Sequence, residues 1–392
     1  TKEKRRAGGD MWPLLQALSL APPSALSRLP AATPRYLRAP GVRLSLDASA
    51  LSAVGEVEDA APAPDLRLVA PAKVNLFLRV VGKRPDGFHE LASLFQTVSL
   101  FDDLDFWTSP REEGAPLASL EVTPDSLGAE LIPTDESNLV VRALSLYAER
   151  VPSSPAIHCR LHKRIPAQGG LGGGSSDAAT ALHAANRLAG LPVSQETLIE
   201  WAGELGSDCG FFLSAGTAYC TGRGELVDPR RPLPPTACYL IKPAAGLSTP
   251  SVFKALGLEP GEAGPAGADP ADLLSRFEAG DVYNPDLYVN DLEPPAFELM
   301  PELRQMCDDL RKFGFQAVMM SGSGTTCFAI GMPLEEVQET WVDELQAKYD
   351  VEVFEEMFCR RIADEPSLWY TEQPPGAVLT NIEEPERGLF PL

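Results

Sequence analysis

The sequence has no run of 18 or more apolar residues, which excludes an ordinary membrane-spanning helix. None of its seven cysteines forms a Cys-x-x-Cys pair. An odd number of scattered cysteines in a long chain predicts reduced, mostly buried thiols and no structural zinc. Basic residues are also short: 33 Lys and Arg stand against 55 Asp and Glu, a net charge of −22. A nucleic-acid binder would carry a basic stripe, so that class is disfavoured. The acidic surplus mainly serves solubility and leaves room for local anion-binding loops. No repeat of solenoid period is present.

Acid is missing altogether from Met11 to Leu46, a span that holds Arg28, Arg35, Arg38 and Arg43 among Ser, Ala, Leu and Pro. That composition predicts a plastid or mitochondrial transit segment. The chain begins with Thr1 rather than methionine, as in a fragment or processed form. Residues 1–63 are therefore set apart from the fold, and Ala60-Ala61-Pro62-Ala63-Pro64 is the expected boundary. The remainder is long enough for a sizeable core in two domains.

Glycine is what the chain concentrates. Five of the six positions after Gln168 up to Gly174 are glycine, Leu171 being the exception. Ala178, Ala181, Leu182, Ala185, Leu188 and Ala189 follow at helical spacing, with Ser175 or Ser176 as the expected N-cap and Asp177 in the first turn. A glycine loop running into a helix N-terminus is a phosphate cradle, with outward N–H groups and no Cβ in the way. No Gly-Lys-Ser/Thr ends this loop, so it is not a Walker loop. A dinucleotide fingerprint fits poorly too.

The other elements follow from period and punctuation. Leu66 to Lys83 reads as strand, as a pair around Pro71, with Lys73 and Asn75 facing the same way. Arg84-Pro85-Asp86-Gly87 is a turn, and Leu94 to Leu100 a strand. Asp102, Asp103 and Asp105 read as the border of a polar loop. Ser137-Asn138 caps a helix to Arg150, and Ile157 to Lys163 is a strand feeding the glycine loop. A helix ends at Leu205 with Gly206 as C-cap. Asp208 stands just past it and directly before an apolar run. Residues 256–285 read as an exposed Gly/Pro/acid insertion with one short helix. One helix ends near Phe313, strands flank Ser321-Gly322-Ser323-Gly324, and Leu334 to Tyr349 is amphipathic helix. Residues 363–392 form an unplaced tail.

Three separated stretches, PAKVNLFLRV, PAQGGLGGGSSDAAT and MMSGSGTTCFAI, occur in that order. Together they resemble the GHMP kinases. KRPDGFHEL and GLGGGSSDAA look closest to the branch acting in the non-mevalonate isoprenoid route. VNDLEPPAF and WYTEQPPGA look like its plant and algal members, in keeping with the transit-like start. The resemblance covers about residues 66–358.

It implies an α+β, two-domain GHMP kinase fold: a ribosomal protein S5 domain 2-like N-terminal domain at 64–232 and a ferredoxin-like C-terminal domain at 233–362. It implies ATP and Mg²⁺ as cofactors and cytidylyl-methylerythritol as substrate, phosphorylated on its 2-hydroxyl. The expected state is a monomer or weak homodimer in the plastid stroma, without nucleic-acid or membrane partners. Lys73 and Asp208 match the catalytic pair. Gly170, Leu171, Gly172, Gly173, Gly174, Ser175 and Ser176 match the ATP phosphate loop, and Asn138 flanks the adenine. Asn75, Phe88, His89 and Phe253 match the substrate side, His89 at the cytosine and the two phenylalanines on its faces. Ser321, Gly322, Ser323 and Gly324 form a supporting turn.

The metal ligands stay open among Ser175, Ser176 and Asp177. Asp208-Cys209-Gly210 replaces the usual Asp-Val-Pro, and Phe88 a usual tyrosine. A kinase for another hydroxyl substrate is the first alternative, which Phe88-His89 and GLGGGSSD argue against. The second is a catalytically dead regulator on the same fold, which should have lost Lys73 or Asp208.

Overall fold

The computed structural model describes residues 62–361 and 368–370. The transit-like segment, apart from Pro62 and Ala63, and most of the C-terminal tail lie outside the described residues. The described chain is built on two sheets. The first contains β1 (Leu66–Lys83), β2 (His89–Ser109), β3 (Ala118–Val122), β4 (Ala156–His162), β5 (Thr217–Gly222) and β6 (Leu226–Pro229). Long β2 is its spine: β1 pairs along one side, and β4 and β5 share the other. Four helices accompany this half: α1 (Leu139–Arg150), α2 (Gly173–Leu188), α3 (Gln195–Leu205) and the single turn α4 (Cys209–Phe212).

The second sheet has the order β10-β7-β9-β8 and is antiparallel throughout. Its strands are β7 (Ala237–Pro243), β8 (Ala317–Met320), β9 (Cys327–Ile330) and β10 (Val351–Met357). Its helices are α5 (Thr249–Leu256), α6 (Pro270–Glu278), α7 (Glu293–Leu299), α8 (Pro301–Lys312) and α9 (Trp341–Lys348). Fold class is α+β, as expected. One core lies under α1–α4, and one covers the second sheet under α7–α9. A third joins β1 and β2 to the second sheet through Val74, Leu76, Phe77, Leu240, Met319 and Phe328.

Several expectations change. Leu66–Lys83 is one strand, not two: Pro71 sits at a bulge before Ala72, where the ladder shifts register instead of ending. Asp102, Asp103 and Asp105 lie inside β2, which runs on to Ser109, rather than at the border of a loop. Asp102 is fully buried, with its Oδ1 accepting from the amides of Arg164 (2.6 Å) and Ile165 (2.9 Å). The helix expected to end near Phe313 is two helices, because Pro301 starts the second. Residues 335–340 are turns, so α9 begins only at Trp341.

The 256–285 segment is not simply exposed. Leu273, Leu274 and Phe277 of α6 are buried, and Phe277 stacks on Phe77. The stretch before α6 is sewn to the end of β1: Gly261 N–H donates to Lys83 O and Gly264 N–H to Val81 O. The Arg79 guanidinium donates to Pro265 O at 2.7 Å and pairs with buried Asp291.

Trp369 and Tyr370 close over the first core. Trp369 is fully buried, stacks on His183 at 4.2 Å and donates its indole N–H to Val69 O at 2.6 Å. The Tyr370 hydroxyl donates to Phe212 O at 3.1 Å, and the Arg361 guanidinium donates to Ser214 O at 2.7 Å. These groups meet the carbonyl end of the short helix that Asp208 opens. Trp369→Ala is expected to cost about 3–5 kcal/mol, the usual penalty for deleting a buried indole. Urea unfolding followed by circular dichroism checks it, and an unmoved midpoint would contradict this packing.

Candidate active site

The glycine loop enters from β4 and is pinned at both ends. Leu171 is buried in the core that joins the two sheets, and its carbonyl accepts from Lys73 N–H at 2.9 Å. Gly170 and Gly172 have φ of 75° and 71°, a backbone that favours glycine. A Cβ at Gly170 would stand 2.1 Å from Ser321 O, and one at Gly172 would stand 2.9 Å from the Phe212 ring. The loop can therefore pass between the two halves only as glycine.

Helix α2 starts at Gly173, with Gly172 in the left-handed N-cap position. Ser175 and Ser176 thus lie inside the first turn, and neither is the N-cap. The cause is local: glycine reaches that conformation without steric cost, so the helix starts earlier. Amides of the first turn have no carbonyl four residues back and face outward. They belong here to Gly173, Gly174 and Ser175, on a 16-residue helix whose dipole favours an anion.

Ser176 differs from the expectation. It is fully buried, its N–H donates to Gly172 O, and its Oγ has no partner. Asp177 is also buried, against Lys163. That amine bridges the Asp177 carboxylate at 2.7 Å and the Asp102 carboxylate. Burial pushes the Asp177 carboxyl up, against the pull of the Lys163 ammonium. Burial works against the Lys163 charge as well, but the two carboxylates more than offset it. Of the three residues open as metal contacts, Ser175 alone is not buried. Among the described residues no group of three or more His, Cys, Asp or Glu is arranged to hold a metal.

Lys73 and Asp208 come together from different elements. Lys73 is buried on β1; its Nζ donates to Asn75 Oδ1 at 2.7 Å and lies 3.4 Å from Asp208 Oδ2. It also sits 4.5 Å above the Phe95 ring. Asn75 in turn donates to Ser93 Oγ at 2.9 Å, so the lysine is held at a fixed height over β2. Asp208 occupies the N-cap position of α4, but its side chain makes no capping hydrogen bond. About a quarter of that side chain, 28%, is exposed.

Both residues line a cavity of about 260 Å³, together with Asn75, Gly170, Gly172, Arg223, Phe253, Gly322 and Ser323. The turn between β8 and β9 forms its far wall. Ser321 Oγ donates to Gly170 O at 3.2 Å and accepts from Asn75 N–H at 3.4 Å. Asn290 donates to Gly322 O at 2.8 Å.

The remaining expected residues are more spread out. Asn138 caps α1, accepting from Val140 N–H and donating to Pro133 O, each at 2.8 Å. Its side chain is thus committed to the helix start, though Leu139 beside it approaches Gly174. The His89 ring lies against Phe253, tilted by 30° with the centroids 4.6 Å apart, and its Nε2 is buried without a partner. Burial, helped by the Lys83 charge, lowers the His89 pKa below 6.5, so the ring is neutral near pH 7. Phe88 is half exposed, and the Arg223 guanidinium lies 4.8 Å over its ring.

Sequence reasoning missed Arg223, Asn290 and the Asp102–Lys163–Asp177 cluster. Lys163 directly precedes the loop, which is the one local hint. Its partners lie 61 and 14 residues away, with no spacing rule to join them.

A left-handed glycine cradle at a helix start lies beside a lysine–aspartate pair on the first half, faced by the Ser321–Gly324 turn of the second, as suits a small-molecule kinase of the GHMP type. Residues 138–216 match the GHMP kinases N terminal domain, and residues 272–347 match the GHMP kinases C terminal model. The chain belongs to the 4-diphosphocytidyl-2-C-methyl-D-erythritol kinase family of GHMP kinases. It is 42% identical to the chloroplastic kinase of that name from Oryza sativa subsp. japonica, over 74% of this chain and 71% of the relative. It is 45% identical to the Protochlamydia amoebophila kinase, over 68% of this chain and 84% of the relative.

A crystal structure of 4-(cytidine 5'-diphospho)-2C-methyl-D-erythritol kinase superposes with a TM-score of 0.60 at 34% identity. That match covers 75% of this chain and 99% of the other. Homoserine kinase from Cytophaga hutchinsonii, at 16% identity and a TM-score of 0.57, shares the fold, over 78% of this chain and 98% of its own.

Proposed function

We propose that the protein transfers the γ-phosphoryl group of ATP to the 2-hydroxyl of 4-diphosphocytidyl-2-C-methyl-D-erythritol, in the plastid. The observation that carries this is the Lys73–Asp208 pair, 3.4 Å apart in the cavity that the glycine loop also lines. The N- and C-terminal domains divide near residue 232, between the last strand of the first sheet and the first of the second. Relatives named as chloroplastic, together with the acid-free Arg/Ser-bearing N-terminus, support the compartment.

The chemistry follows from position. ATP phosphates lie against the first-turn amides of α2, where the dipole and open N–H groups neutralise charge. The Asp208 carboxylate accepts the proton of the acceptor hydroxyl as its oxygen attacks the γ-phosphorus, and ADP leaves. Lys73 orients Asp208 and stabilises charge that develops on the transferring group. Asn75 and Ser93 hold Lys73 in place. The Ser321–Gly324 turn buttresses the loop from the second domain.

Magnesium takes most of its ligands from phosphates and water, so it needs few protein oxygens. Of Ser175, Ser176 and Asp177, the Ser175 hydroxyl is not buried and would be the protein oxygen to hold the ion. When bound, the ion neutralises phosphate charge. On the substrate side, His89 carries a ring nitrogen for a single hydrogen bond to the pyrimidine, and Phe253 and Phe88 offer ring faces.

The test is a coupled ADP-release assay across the cytidylyl substrate, mevalonate, homoserine and galactose. Turnover confined to the first is expected. Preference for any other acceptor would overturn the substrate assignment.

A further inference from the structure

We propose that Arg223 binds the diphosphate of the cytidylyl substrate and so sets the preference for a nucleoside diphosphate ester over a bare nucleoside. The inference deepens the functional reading above and rests on it. Two of the residues lining the cavity are cationic, Lys73 and Arg223. Lys73 is committed: its amine is shared by Asn75, Asp208 and the Phe95 face at the reacting end. Arg223 projects from the turn between β5 and β6, and 39% of its side chain is exposed.

Its neighbours fix its place along the substrate. On one side its guanidinium covers the Phe88 ring, next to His89 and the base end. On the other, Gly224 lies against Asp208, so close that a Cβ on that glycine would stand 3.3 Å from Oδ1. Arg223 therefore sits between the residues assigned to cytosine and those assigned to the hydroxyl. In the substrate the group between those two ends is the diphosphate.

The chemistry matches the position. A guanidinium presents paired donors that suit phosphate oxygens, and stacking on an aromatic face keeps it planar and oriented. The protein carries net charge −22, so an anionic substrate gains nothing from the general field and depends on local cations. Glu225 stands beside Arg223, its carboxylate 3.5 Å from Nε. Glu225 also accepts from the Arg223 backbone N–H. The Glu225 carboxylate is thus nearest the Nε side of the guanidinium.

The test compares the wild type with Arg223→Gln and Arg223→Lys, at saturating ATP, in steady-state kinetics and in competition by CDP and by cytidine against the cytidylyl substrate. Losing one charge-assisted contact should raise KM for the cytidylyl substrate about 10- to 100-fold in Arg223→Gln. KM for ATP should stay within about twofold, because Arg223 lies on the β5–β6 turn, a different element from the first-turn amides of α2. The wild type should bind CDP more tightly than cytidine, and Arg223→Gln should bring the two close to equal.

Arg223→Lys should recover part of the difference, since a lysine keeps the charge and loses the fork. Equal weakening of CDP and cytidine in Arg223→Gln would show that the residue only backs Phe88, and would overturn the proposal. So would an unchanged KM. An inactive wild type with the cytidylyl substrate would instead sink the functional reading. An active wild type whose CDP preference survives Arg223→Gln would sink only the role of Arg223.

Discussion

Asp208→Asn is expected to lower turnover by about 10²–10⁴ while ATP still binds, the usual range for removing a positioned general base. The amide has the shape of the carboxylate and cannot take the hydroxyl proton. Any loss of stability should come from removing the charged partner of buried Lys73. Asp208 stands where a helix cap would stand but makes no capping hydrogen bond, so α4 loses no cap when the charge goes. ATP affinity should hold because the first-turn amides of α2 lie on a different element. Single-turnover phosphoryl transfer, with ATP binding measured separately, reads both halves. Near-normal turnover would remove Asp208 as the base. Loss of ATP binding in parallel would place it at the nucleotide instead.

Lys73→Met should cost about 10²–10³ in turnover, comparable with deleting one charge-stabilising donor. Methionine nearly matches the length of the buried stem and keeps a contact with the Phe95 face. What disappears is the ammonium between Asn75 Oδ1 and Asp208 Oδ2. Asp208 is then free to leave its place, and the transferring group loses a positive neighbour. The decisive comparison is the double variant Lys73→Met/Asp208→Asn. Two residues acting as one unit should together cost about as much as the worse single change, not the product of both. Multiplying effects would mean that the lysine acts apart from Asp208, for instance on the nucleotide alone.

Much of this site is legible in the amino-acid sequence, because its parts are local. A run of glycines before an Ala-rich helix declares a loop and a helix start, and alternation along β1 puts Lys73 beside Asn75. Both depend on neighbours in the chain. Even here one detail fails: the N-cap is Gly172 instead of Ser175 or Ser176. The left-handed backbone that glycine allows is invisible to a rule that counts capping side chains.

The larger misses involve distant partners. Three aspartates in a stretch of polar appearance read as the border of a loop. Yet β2 runs through them, since Asp102 meets Lys163 and two backbone amides across the sheet. The acidic segment before Asn290 reads as exposed, but its Leu273, Leu274 and Phe277 cover the joint between the sheets. A buried charge or a buried apolar triplet is decided by what lies opposite, and local composition does not carry that information. Trp369 and Tyr370 show the same limit, three hundred residues from the strand that accepts the indole hydrogen bond.

By itself, then, the sequence determined the class of loop, the strand carrying Lys73 and the aspartate after a helix end, because short-range backbone preferences dictate these. Tertiary structure alone decided that Lys73 and Asp208 stand 3.4 Å apart, that Ser176 and Asp177 are buried, and that Arg223 lies in the cleft over Phe88. Each is a meeting of groups far apart in the chain. Packing of the two sheets, with the desolvation and charge pairing it imposes, selects which of them touch.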